Sequence, residues 1–84
     1  MEYRKITNIE DLNRALDEEH NDFVMTNGLL RSSKWITYGE RDGEYEILNL
    51  IDDTYDFLTE DQLMNKSNIG QAMKNGAFFC EIDD

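Results

Sequence analysis

An α+β fold is predicted by three features of this chain. Three segments open on helix start signals and carry apolar residues at helical spacing. Between them lie short runs rich in β-branched, aromatic and alternating residues. The turns joining those runs are only a few residues long, which permits antiparallel neighbours and excludes parallel crossovers. The predicted architecture is an antiparallel β-meander of about four to five strands. An N-terminal helix precedes it, and two short helices come before a C-terminal strand. The helices should cover one face of the sheet.

The first helix begins at Thr7-Asn8-Ile9-Glu10, which reads as a capping box with Thr7 as N-cap. Ile9, Leu12, Ala15 and Leu16 then share one face, and the helix should stop near His20-Asn21. Phe23-Val24-Met25 is a short strand ended by Asn27-Gly28, a type I′ turn signal. Leu29 to Tyr38 follows as a strand, with Ser32, Lys34, Ile36 and Tyr38 on one face and Arg31, Ser33, Trp35 and Thr37 on the other. Gly39 to Gly43 turns the chain into a strand over Glu44 to Ile51. Asp52-Asp53-Thr54 turns it again into Tyr55 to Leu58. Tyr38 and Tyr45 flank one turn and are expected to be cross-strand neighbours. Thr59-Glu60-Asp61-Gln62 is a second capping box, opening a short helix through Leu63 and Met64. Ser67 caps a further helix whose stripe is Ile69, Ala72 and Met73, with Gly76 just past its end. Ala77 to Ile82 is the last strand, placed at a sheet edge.

Composition limits what such a domain can do. Eighty-four residues without a repeat or linker make one domain, 1–84. Leu, Ile, Val and Phe total 20 of 84 residues, enough for a small core despite a mean hydropathy of −0.71. Nineteen acidic against eight basic residues give a net charge of −11. That charge disfavours direct contact with nucleic acid or an anionic membrane, whose phosphates would be repelled. No segment is long and apolar enough to span a membrane, and no apolar signal core follows Met1 to Lys5. One Cys suits a reducing, cytoplasmic compartment.

Candidate sites are few. Leu30-Arg31-Ser32-Ser33-Lys34-Trp35 gathers two cations and two hydroxyls in an acidic chain. Arg31, Ser32, Ser33 and Lys34 would hold a phosphate or carboxylate if the strand were bulged. The ordinary alternative pairs Arg31 and Lys34 across strands with Glu44 and Glu46. The run from Asp52 to Asp61 fails as a calcium loop, because Phe57 and Leu63 stand at its sixth and twelfth positions. His20 with carboxylates is a poor zinc set and suits a helix C-terminus. Cys80 has no motif-borne base and reads as a small buried hydrophobe. No catalytic, cofactor-binding or metal residue is assigned, and no cofactor is expected. Trp35, Tyr38, Tyr45 and Tyr55 would make a protein-binding surface if exposed together, and ordinary packing if not.

Three stretches carry a likeness. They are Asn27-Gly28-Leu29-Leu30-Arg31-Ser32-Ser33-Lys34, Ile51-Asp52-Asp53-Thr54 with Leu58-Thr59-Glu60-Asp61-Gln62-Leu63, and Ser67-Asn68-Ile69-Gly70-Gln71-Ala72 ending in Gly76-Ala77-Phe78. In order and spacing they resemble small orphan proteins of bacterial phages, plasmids and conjugative elements, over residues 7 to 82. The resemblance implies a bacterial cytoplasm and transfers no catalytic or ligand residue.

The leading expectation is a non-enzymatic, acidic protein-binding module. Its surface would comprise Glu44, Glu46, Asp52, Asp53, Asp56, Glu81, Asp83 and Asp84, meeting the basic DNA-binding surface of a host protein as a DNA mimic. The alternatives are an anion- or ligand-binding module at Arg31 to Lys34 and a structural subunit. The latter would dimerise through a strand edge, Phe23-Val24-Met25 or Ala77 to Ile82.

Overall fold

The computed structural model describes residues 2–27, 30–50 and 52–82. Chain order is β1 (Glu2–Lys5), α1 (Ile9–Asp17), β2 (Asp22–Asn27), β3 (Leu30–Tyr38), β4 (Glu44–Asn49), β5 (Thr54–Thr59), α2 (Glu60–Asn65), α3 (Asn68–Lys74) and β6 (Phe78–Ile82). The six strands form one antiparallel sheet in the order β1-β6-β2-β3-β4-β5. The α+β class, the N-terminal helix and the C-terminal strand are as predicted.

Local chemistry explains the helix ends. In α1 the N-cap sits one residue later than expected, and no reciprocal box forms: Asn8, not Thr7, is the N-cap, and its Oδ1 accepts from the Asp11 amide at 2.8 Å. Asp11 reaches back to accept from the Thr7 amide and hydroxyl at 3.3 and 3.1 Å. The helix ends at Asp17, earlier than His20, because Glu19 takes a left-handed φ of 66°. The Glu19 and His20 amides then donate back to Leu16 and Ala15 carbonyls. For α2 the predicted box is complete, with Thr59 and Gln62 exchanging side-chain and backbone bonds. In α3 Ser67 Oγ accepts from the Gly70 amide, and Gly76 supplies φ 71° past the end.

Two placements differ from expectation. Glu2–Lys5 forms a strand that the sequence reading did not anticipate. And β6 is interior, pairing with β1 on one side and β2 on the other. Neither Phe23-Val24-Met25 nor Ala77 to Ile82 is therefore an edge for dimerisation; the edges are β1 and β5. Residues 28, 29 and 51 lie outside the described residues, and with them the Asn27-Gly28 turn and the ends of two predicted strands.

Register separates the two faces of the sheet. Phe23 faces Cys80 and Lys34, Met25 faces Phe78, Ile36 faces Ile47, and Tyr38 faces Tyr45. These residues share one face, and on it Phe23, Ile36, Tyr45, Ile47, Phe78 and Cys80 join Leu12, Ala15, Leu63, Ile69 and Met73 of the helices in the core. Phe23 and Phe78 stack with ring centroids 5.3 Å apart. All three helices thus lie on this side. Among the described residues, none on the opposite strand face belongs to the core cluster.

Candidate functional site

Pairing builds the uncovered face row by row. Trp35 is opposite Leu48, and Leu48 is opposite Tyr55. The next row is Thr37, Glu46 and Phe57, followed by Glu44 with Thr59. Strands about 4.8 Å apart put the three β3–β5 residues of a row within roughly 10 Å. Trp35 and Leu48 are half-buried by their neighbours, whereas Tyr55 is 56 % and Phe57 57 % exposed. Glu44 and Glu46 stand on the same face, about 6.8 Å apart along β4. The result is an aromatic patch with carboxylates beside it.

Asp52 and Asp53 close the β4–β5 turn beside this patch. Asn49 Nδ2 donates to Asp52 Oδ2 at 3.1 Å, and Asp53 takes a left-handed φ of 56°, a conformation its short polar side chain tolerates. Asp56 is opposite Ile47 and so points to the helix side of β5, yet it remains exposed at the sheet margin. Glu81 sits on the uncovered face of β6, opposite Tyr3 and three strands away from β4. The predicted acidic surface therefore divides: Glu44 and Glu46 share the uncovered face of β4, Asp52 and Asp53 lie in the turn that follows, Asp56 is on the other face of β5, and Glu81 is three strands away. Asp83 and Asp84 lie outside the described residues.

The other end of the same face carries its own cations. Arg31 Cζ lies 5.1 Å from the centroid of the Tyr3 ring, and Lys5 Nζ lies 5.9 Å from that of Phe79. Val24 is the buried apolar side chain of this half, at 5 % exposure. Arg31 and Lys34 do not pair with Glu44 and Glu46, because the register sets Arg31 opposite Thr26 and Lys34 opposite Phe23 and Asn49. Nor do Arg31, Ser32, Ser33 and Lys34 converge. With no bulge in the strand, Arg31 and Ser33 are on the uncovered face and Ser32 and Lys34 on the helix side. Lys34 instead lines a shallow cavity of about 330 Å³ with Asp56, Lys66 and Ser67.

The aromatic residues singled out together are split by the same alternation. Tyr38 and Tyr45 are cross-strand neighbours, as predicted, with centroids 6.0 Å apart on the helix side. Tyr38 Oη donates to Asp17 Oδ1 at 2.8 Å, and Tyr45 Oη to Asn13 Oδ1 at 2.6 Å, which ties α1 to the sheet. Burial, then the Asp17 carboxylate, pushes the Tyr38 hydroxyl up to about 12; burial raises Tyr45 as well. Trp35 and Tyr55 belong to the uncovered face, where Phe57 and Leu48 join them. The sequence reading passed over Phe57, although the alternation Tyr55, Phe57, Thr59 against Asp56, Leu58 marks it.

Cys80 is fully buried, and desolvation pushes its thiol up to about 11. His20 Nε2 lies 3.8 Å from Glu18 Oε2, at the end of α1. Among the described residues no three His, Cys, Asp or Glu side chains converge as metal ligands, and no helix is long and apolar enough to cross a membrane. Comparison with protein-family models, curated proteins and solved structures finds no match.

Proposed function

We propose that this chain is a non-enzymatic binding module that engages a basic protein through its uncovered sheet face. The observation that carries this reading is the pair Tyr55 and Phe57. Both are more than half exposed and stand on a face outside the core, with Glu46 opposite Phe57, Glu44 further along β4 and Asp52 and Asp53 in the adjoining turn. Large exposed aromatics on a small domain are interaction anchors, because desolvating them on contact is favourable. The carboxylates select a cationic partner and speed its approach. A host protein's DNA-binding surface fits that description, and a mobile-element origin would suit such a role. The contact would then combine apolar anchoring with phosphate mimicry.

Affinity capture from host cytoplasm tests this reading, with wild type compared against Phe57→Ser and Glu44→Gln/Glu46→Gln. The wild type is expected to retain a basic protein that both variants lose, and duplex DNA should displace it if the bound surface is a DNA groove. Identical recoveries for all three proteins would refute the reading.

A further inference from the structure

The β5 edge shows how such a partner would attach. Glu60 N donates to Gly43 O at 3.2 Å, one step beyond the Glu44–Thr59 pair. Antiparallel bonding alternates every second residue. Thr54, Asp56 and Leu58 therefore turn their backbone groups toward β4, and Tyr55 and Phe57 turn theirs outward from the sheet. The two residues with the most exposed aromatic rings are thus the two whose N–H and C=O face away from the other strands.

Exposed edges are normally guarded by shortness, Lys, Pro or a bulge. The β1 edge follows that rule: it has four residues, with Lys5 over Phe79 and Arg4 bonded to Glu18 at 3.0 Å. The β5 edge has six residues and, apart from one carboxylate turned to the helix side, none of those devices. Its only charged residue is Asp56, and Asp52, Asp53, Glu60 and Asp61 flank it. A second copy pairing here would bring two such acidic sets together, so like-charge repulsion opposes self-association. A cationic segment is matched instead. The uncovered face also shows what its rings accept: cations stand over Tyr3 and Phe79 at one end, and among the described residues none stands over Tyr55 or Phe57 at the other.

We propose that the β5 edge receives an extended partner segment with Arg or Lys at alternate positions, which joins the sheet as a seventh strand. This deepens the reading above and rests on it for the basic character of the partner. The cations would be paired opposite Tyr55 and Phe57, project on the uncovered face, cover the two rings and meet Glu46. Backbone bonds would supply the attachment and alternate cations the selectivity.

The test uses the isotope-labelled full chain and an end-capped peptide alternating valine and arginine, titrated at about physiological ionic strength. Two analogues of identical charge carry N-methyl groups, one on the arginine amides and the other on the valine amides. The parent peptide should bind and slow amide exchange at Tyr55 and Phe57. Methylating the arginine amides should weaken binding at least tenfold, whereas methylating the valines should change it less than threefold. Equal binding by parent and arginine-methylated peptides, loss on methylating the valines, unprotected Tyr55 and Phe57 amides, or no binding by the parent would each overturn strand addition. If methylation has no effect while Phe57→Ser still loses the captured partner, the face reading stands and strand addition falls. If Phe57→Ser loses nothing, the face reading falls with it.

Discussion

Substituting Gly70 by Ala sets two effects of opposite sign against each other. Gly70 is in the first turn of α3, where the helix crosses the end of α2. Intrinsic propensity favours Ala over Gly in a helix by about 1 kcal/mol. Packing opposes it. A Cβ on Gly70 would stand 2.5 Å from the Leu63 carbonyl oxygen and 2.6 Å from the Met64 carbonyl carbon. Both are backbone atoms, so no side-chain rotation relieves the clash. Reaching ordinary contact near 3.5 Å would need α3 to move by roughly 1 Å. Ile69 and Met73, exposed by only 5 % and 1 %, would be drawn out of the core with it. The bond from Ser67 Oγ to Leu63 O, at 2.5 Å, would stretch as well. Overpacking of this kind costs about 1–3 kcal/mol. Contact with rigid backbone puts this case at the upper end, so the net loss is about 2 kcal/mol. For a chain of this size that lowers Tm by roughly 8–16 °C. Thermal unfolding followed by far-ultraviolet circular dichroism measures it, with the exposed Gln71→Ala as a control expected within about 0.5 kcal/mol. A Gly70→Ala variant as stable as wild type would refute the close approach of α3 to α2.

Four further outcomes follow from the structure. Glu19→Gly should raise stability by about 1 kcal/mol in urea unfolding, since it relieves left-handed strain of about 1–2 kcal/mol and adds unfolded-state entropy of somewhat less. Cys80 should resist a disulfide reagent at pH 8 in the native protein and react promptly in guanidinium. Alkaline titration should unfold the chain progressively. The folded state holds the Cys80 proton up to about 11, against an ordinary 9, and the Tyr38 proton up to about 12, against an ordinary 10, so stability falls as pH rises through that window. Raising NaCl from about 0.05 to 0.5 M should raise the urea midpoint, because screening the net charge of −11 outweighs weakening the exposed Arg4–Glu18 pair.

Features set by near neighbours were legible in the sequence. The Thr59–Gln62 box, the Ser67 cap and the Gly76 terminus each need only three or four residues to form. The two faces of β3 were legible for the same reason, since alternation alone assigns them. The strand Glu2–Lys5 was not. It carries no apolar alternation and is held by pairing with residues nearly 80 positions away, such as Ile82 opposite Glu2. The interior place of β6 is equally non-local. The α1 N-cap lies one residue past the expected Thr7 because the Asn8 side chain captures the Asp11 amide at the same spacing, leaving Asp11 to bond Thr7. The site was half legible. Its carboxylates and Tyr55 were singled out, but β3 and β4 carry apolar residues on both faces. Which face the helices cover decides whether Phe57 is core or anchor, and packing between distant segments settles that.

Site-specific photo-crosslinking in host cells tests the binding reading most directly. A photoreactive phenylalanine analogue is placed at position 57 of the uncovered face and, separately, at exposed position 10 of α1. The account predicts an adduct with a basic protein from position 57 that is absent from position 10. Equal adducts from both positions, or adducts from position 10 alone, would contradict it.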